Sequence, residues 1–148
     1  MTEKVFADTN IVIYAESRHA KKSPAAVAIL EASPVISTQV VNETVSVLTR
    51  KHGFALADAN QVALSLLDLC EVVPVDVQTV RDAIRVGERY QLSIWDSLIV
   101  AAALLSDCEL VYPLAHPARC RYGIAVLREY RRQPCRCRSG LTLRSRRG

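Results

Sequence analysis

Apolar positions along this chain follow two alternating rhythms. Four runs are too short for helices and nearly continuous in apolar residues: KVFAD at 4–8, PVIS at 34–37, EVVPV at 71–75 and ELVY at 109–112. Runs of that length bounded by turn residues read as buried strands. The segments between them repeat at helical spacing. NIVIYAES places apolar residues at 11, 12, 13 and 15, compatible with two helical turns. Ser23-Pro24 opens the next helix, with serine as N-cap and proline in the first turn. That helix is expected to end near Ser33-Pro34, because a residue before proline is pushed out of the α region. Ser37 or Thr38 can cap the long helix QVVNETVSVLTRKHG, which stops at Gly53. ALADANQVALSLLDLC repeats apolar residues at Val62, Leu66, Leu67 and Leu69, and DVQTVRDAIRVGERY is expected to turn Val77, Val80, Ile84 and Val86 inward. Ser93 caps IWDSLIVAAALLSDC, where S-x-x-D with Asp96 is a helix-start signature.

Strands alternating with helices as far as Tyr112 predict an α/β domain, with a central parallel sheet of about four strands flanked by helices. Beyond Tyr112 the rhythm fails. PLAHPARC carries two prolines in five residues, GIAVLREY reads as a short helix, and RRQPCRCRSGLTLRSRRG reads as unstructured. The expected organisation is a domain over 1–112 and an irregular basic tail over 113–148.

Composition changes this picture in one respect. Half of the 148 residues are apolar and 23% are charged, an ordinary balance for a globular domain. The net charge of +4 conceals an asymmetry, however. Residues 113–148 hold ten arginines against one acid, Glu129, while the first 112 residues hold nine basic and fourteen acidic side chains. An acidic body with a basic tail invites a nucleic-acid reading of the tail. Five cysteines, at 70, 108, 120, 135 and 137, are an odd and scattered set that argues against a disulfide framework. The opening MTEKVFADTN lacks the features of a secretory signal, and the longest apolar run, IVAAALL, is too short to cross a bilayer. A cytoplasmic protein without membrane association is expected.

Candidate chemistry gathers on three acids. In a parallel α/β sheet, function collects at the carboxyl ends of the strands. Asp8 closes the first strand, Glu43 lies in the first turns of the helix after the second, and Asp96 lies in the first turn of the helix leading into the fourth. Helix amino ends favour negative charge by roughly 0.3–1 kcal/mol each, too little to hold three carboxylates together. A divalent cation resolves the repulsion, and all-oxygen ligands suit Mg²⁺ or Mn²⁺. Such an ion can position a water for in-line attack on a phosphodiester. Thr9 and Asn10 can orient the Asp8 carboxylate or a water beside it. Each acid also has a plainer reading alone: a helix cap for Asp96, a solvated helix face for Glu43, turn chemistry for Asp8.

The wording of three stretches adds to this. VFADTNIVIYA, STQVVNETVSVLTRK and LSIWDSLIVAAALLSDCELVY resemble the PIN domain, and within it the VapC-like ribonuclease toxins of bacterial toxin–antitoxin pairs, over about residues 4–112. The resemblance implies a Mg²⁺- or Mn²⁺-dependent endoribonuclease acting without a covalent intermediate. It implies Asp8 and Asp96 as catalytic metal ligands and Glu43 as a third ligand or the base that orients the attacking water, with Thr9 and Asn10 behind them. It further implies an RNA substrate, a cognate antitoxin that fills the acidic cleft, and a homodimer. The departure is at the end: the family's fourth acid follows its last matching strand, whereas no Asp or Glu stands between Glu109 and Glu129 here. That motivates an alternative, a PIN-fold protein binding antitoxin or RNA without turnover. A receiver-like phosphate acceptor at Asp8 fits less well, since Asp8 ends the first strand and the last lysine is Lys51.

Three readings of the tail stand side by side: a reading-frame change after Tyr112, an Arg-rich arm on RNA phosphates, and a metal site from His116, Cys120, Cys135 and Cys137. Trp95 and Tyr14 read as core or interface anchors. Cys70 and Cys108 read as small buried residues, and His19 and His52 as surface residues.

Overall fold

A computed structural model describes residues 3–16, 23–112 and 127–132. Four three-residue strands form the centre: β1 (Val5–Ala7), β2 (Val35–Ser37), β3 (Glu71–Val73) and β4 (Leu110–Tyr112). They line up as β3-β2-β1-β4, every neighbour parallel. Six helices connect them: α1 (Thr9–Glu16), α2 (Pro24–Glu31), α3 (Thr38–Lys51), α4 (Leu56–Leu69), α5 (Val77–Tyr90) and α6 (Ile94–Leu105). Parallel strands need crossovers, and the helices that make them bury both faces of the sheet. Phe6, Ile36 and Val35 of the strands are accordingly buried with Ile11 and Val12 of α1, Val40 of α3, and Val100, Ala102 and Ala103 of α6.

The local signals act as anticipated at most boundaries. Ser23 and Ser37 accept hydrogen bonds from the backbone of Ala26 and Val40, and Pro24 starts α2. Asp76 and Thr79 form a reciprocal capping box on α5. Gly53 takes φ +67° just beyond α3, a left-handed turn that a Cβ would strain. Ser33 differs: it precedes proline yet takes φ +53°, left-handed rather than extended, so that α2 turns sharply into β2.

Two helix faces are corrected. In α5 the residues turned inward are Thr79, Ala83 and Val86, whereas Val77, Val80 and Ile84 are exposed. The cause is the closeness of α6: a Cβ on Gly87 would stand 2.8 Å from Ser97 Oγ, so small side chains must face that seam. In α4, Ala59 and Leu66 are buried and Val62 packs partly, but Leu67 and Leu69 face outward. Trp95 and Tyr14 are likewise exposed, which removes the core reading for both. Cys108 is fully buried, its thiol pushed up to about 11 chiefly by desolvation; Cys70 is half-buried. His52 is half-buried, and His19 lies outside the described residues.

Within the tail, residues 127–132 are helical and dock on the domain. Leu127 is buried in the main core, Arg131 donates to the Cys108 carbonyl at 2.7 Å, and Glu129 stands 3.9 Å from Arg89. His116, Cys120, Cys135 and Cys137, with the rest of the tail, lie outside the described residues. No helix among the described residues is long and apolar enough to cross a membrane.

Candidate functional site

Asp8 is the first residue past β1. Its backbone N–H continues the ladder by donating to the Tyr112 carbonyl of β4 at 3.2 Å, and its carbonyl accepts from Ile11 in α1 at 3.0 Å. The strand and helix therefore fix the Asp8 backbone from both sides. Its carboxylate is fixed too: Oδ1 accepts the Thr9 N–H at 2.6 Å and Oδ2 accepts the Asn10 amide at 3.4 Å.

Glu43 reaches the same place from α3. The Thr9 hydroxyl donates to Glu43 Oε2 at 2.8 Å, and the Gln39 amide donates to Oε1 at 3.1 Å. Thr9 is itself buried, so its backbone holds one acid while its side chain holds another. The sequence suggested Thr9 for Asp8 or a water beside it, not for Glu43. Gln39 went unnoticed, although its position four residues before Glu43 puts the two side chains on one helix face.

Asp96 arrives on α6. Ser93 Oγ accepts its backbone N–H at 3.1 Å and donates to its Oδ2 at 2.8 Å, a reciprocal cap within one turn. Ser97, fully buried, ties its hydroxyl back to the Ser93 carbonyl at 2.7 Å and steadies the same turn.

Electrostatics join the three. The Asp8 carboxyl is raised from 3.8 to about 6, chiefly by burial, with the charges of Glu43 and Asp96 adding to the rise and the Thr9 N–H opposing it. Among the described residues no cation offsets this carboxylate, which has two others nearby. Asp107 and Glu109 do not supply a further acid here: the Glu109 N–H donates to the Lys4 carbonyl at 2.8 Å, at the entry to β1 and β4. The family's missing fourth acid would fall outside the described residues.

These residues suit a hard divalent cation in the chemistry of their donors, which are carboxylate oxygens throughout. Glu43 is engaged by Thr9 and Gln39, and Asp96 by Ser93. No three His, Cys, Asp or Glu among the described residues stand as a closed metal cage.

Comparisons with known proteins agree with the fold. The chain superimposes on a toxin–antitoxin complex from Klebsiella pneumoniae with a TM-score of 0.59 at 21% identity, covering 74% of this chain and 85% of that one. It superimposes on Mycobacterium tuberculosis VapC20, titled a sarcin–ricin loop cleaving toxin, with a TM-score of 0.63 at 19% identity, covering 75% and 89%. FitAcB from Neisseria gonorrhoeae gives 0.60 at 16% identity, covering 84% and 93%. At such identities the likeness is one of fold. No curated protein sequence matches. The PIN domain family model matches residues 5–112, so the parallel sheet, the acid-bearing strand edge and the sequence agree: the chain belongs to the PIN domain family.

Proposed function

We propose that this protein is a Mg²⁺- or Mn²⁺-dependent endoribonuclease, the toxin of a toxin–antitoxin pair. The observation that carries the reading is the convergence on Asp8. Burial at the carboxyl edge of the sheet raises its proton affinity, and two further carboxylates from separate helices add to the rise. Toxin structures among those with the same fold support the biological setting.

Asp8, Glu43 and Asp96 would hold the cation. When bound, it would neutralise the cluster and supply Lewis-acid stabilisation and a more acidic water for phosphodiester hydrolysis. The chain's own residues do the remainder. Asn10 and the Thr9 N–H orient the Asp8 carboxylate, and the Thr9 hydroxyl keeps Glu43 beside it. Ser93 and Ser97 set the turn that carries Asp96. The RNA substrate, the antitoxin, self-association as a homodimer and a cytoplasmic location belong to the same proposal.

The test is cleavage of a panel of tRNAs and structured RNAs by the full 148-residue chain with Mn²⁺ or Mg²⁺, against chelator and an Asp96→Asn control. Metal-dependent cutting lost in the variant supports the enzyme. Mn²⁺-insensitive binding of RNA with no cutting favours instead the PIN-fold binding protein, for which the lack of any Asp or Glu between Glu109 and Glu129 is the supporting observation.

A further inference from the structure

Gln39 is the second residue of α3, one turn before Glu43. Its amide nitrogen donates to Glu43 Oε1 at 3.1 Å. A carboxylate offers only acceptors, so the amide must turn its nitrogen that way; the flipped amide would set two oxygens against each other. The chemistry thus assigns the other amide atom as the oxygen. That oxygen is shielded from solvent and has no hydrogen-bond partner among the described residues. A buried acceptor without a donor is costly to keep, and each such atom in a native fold calls for a reason. Because it shares one amide group with the nitrogen that holds Glu43, it lies near that carboxylate.

Each hydrogen-bonding group described around the cluster has at least one partner except the Gln39 oxygen. The Thr9 hydroxyl and the Gln39 nitrogen serve Glu43, the Thr9 N–H and Asn10 serve Asp8, and Ser93 serves Asp96. The atom left over is an acceptor, so its partner must bring an O–H or N–H with it. Small hard cations enter protein sites still carrying several waters, whose hydrogens need acceptors. A neutral amide oxygen provides one without adding a fourth negative charge to an acid cluster that already burdens Asp8.

We propose that Gln39 is a positioning residue of the cation site: its nitrogen sets the Glu43 carboxylate, and its buried oxygen accepts a hydrogen bond from a water of the hydrated divalent cation. This rests on the cation reading of Asp8, Glu43 and Asp96 given above.

The experiment is a calorimetric Mn²⁺ titration of the metal-free, full-length protein, with thermal unfolding recorded before metal is added. Wild type is compared with Gln39→Met, Gln39→Ala and Asp8→Asn. The expected result is Mn²⁺ binding by wild type, loss of it in Asp8→Asn, and a weakening of about tenfold or more in both Gln39 variants. Their metal-free Tm stays near that of wild type, because the lost hydrogen bond to Glu43 and the removed orphaned oxygen offset each other. Gln39 variants that bind Mn²⁺ as wild type does, or that lose thermal stability while keeping that affinity, overturn the positioning role. The alanine variant carries the test where methionine fails to fold. Wild type that binds no Mn²⁺, or Asp8→Asn that binds it unchanged, overturns the cation reading and the Gln39 role together.

Discussion

The two ends of the acid cluster are built differently. At the β1 end, Asp8 and Glu43 come from elements 35 residues apart and are locked together through Thr9, a buried residue that serves both. At the α6 end, Asp96 is held by Ser93 three residues away, inside its own helix cap. The first arrangement exists only when β1, α1 and α3 are packed; the second forms wherever α6 starts. The difference teaches that relative placement of carboxylates is a tertiary matter for one pair and a local one for the third. Strain should follow the same division, since Asp8 bears the burial and the mutual repulsion.

Replacing the strained member should have the largest effect on catalysis. Asp8→Asn is expected to lower metal-dependent RNA cleavage on the order of a thousandfold, a loss of several kcal/mol of transition-state stabilisation. The same variant should raise the metal-free Tm at pH 7.5, because the uncompensated charge is removed. A fall in Tm would show that Asp8 stabilises the fold and would erase the contrast with Asp96.

The pH dependence follows from the same group. Asp8 titrates near 6 in the fold and at 3.8 as a free side chain, so the folded state binds this proton more tightly. Its contribution to stability is therefore full below 3.8 and lost as pH rises through about 6. Denaturant unfolding of the metal-free protein should show a loss of about 2–3 kcal/mol from this source across that window. Asp8→Asn should flatten the profile, and a profile unchanged by that substitution would assign the effect elsewhere.

Cutting the link within the β1 end comes next. Thr9→Val removes a hydrogen bond to a charged group and should cost about 1.5–2 kcal/mol in denaturant unfolding at pH 7.5. Ser93→Ala removes a helix cap and should cost about 1 kcal/mol. The sharper reading is in coupling: Thr9→Val should lose most of its effect in a Glu43→Gln background, whereas Ser93→Ala should be indifferent to Glu43. Additivity in both double variants would mean that Thr9 does not join the two acids.

Legibility in the sequence divides along the same line. The strands, the serine caps, Pro24 in the first turn of α2, and Gly53 are local statements, and the backbone obeys them because capping and turn chemistry act within a few residues. The places of Asp8 and Asp96 were legible for the same reason: a carboxylate ending a strand and an S-x-x-D at a helix start are visible without a fold. The inward face of α5 was not. Its apolar residues lie on more than one side, and only the close seam between Gly87 and Ser97 decides that the small residues turn inward. Thr9 as a bridge to Glu43 was illegible because it depends on how α1 meets α3. Gln39 was half-legible: its spacing to Glu43 is sequence information, but the burial of its oxygen is not.

The claim beneath these predictions is that three carboxylates of different local origin act as one cation site. The direct measurement is the Mn²⁺-induced shift in Tm of the full-length protein at pH 7.5, for wild type, Asp8→Asn and Asp96→Asn. At an Mn²⁺ concentration a hundred times the dissociation constant, binding adds about 2.7 kcal/mol to wild type, a rise of several degrees. The account predicts that rise and its near-complete loss in either variant. A Tm indifferent to Mn²⁺, or a rise that survives both substitutions, would contradict it.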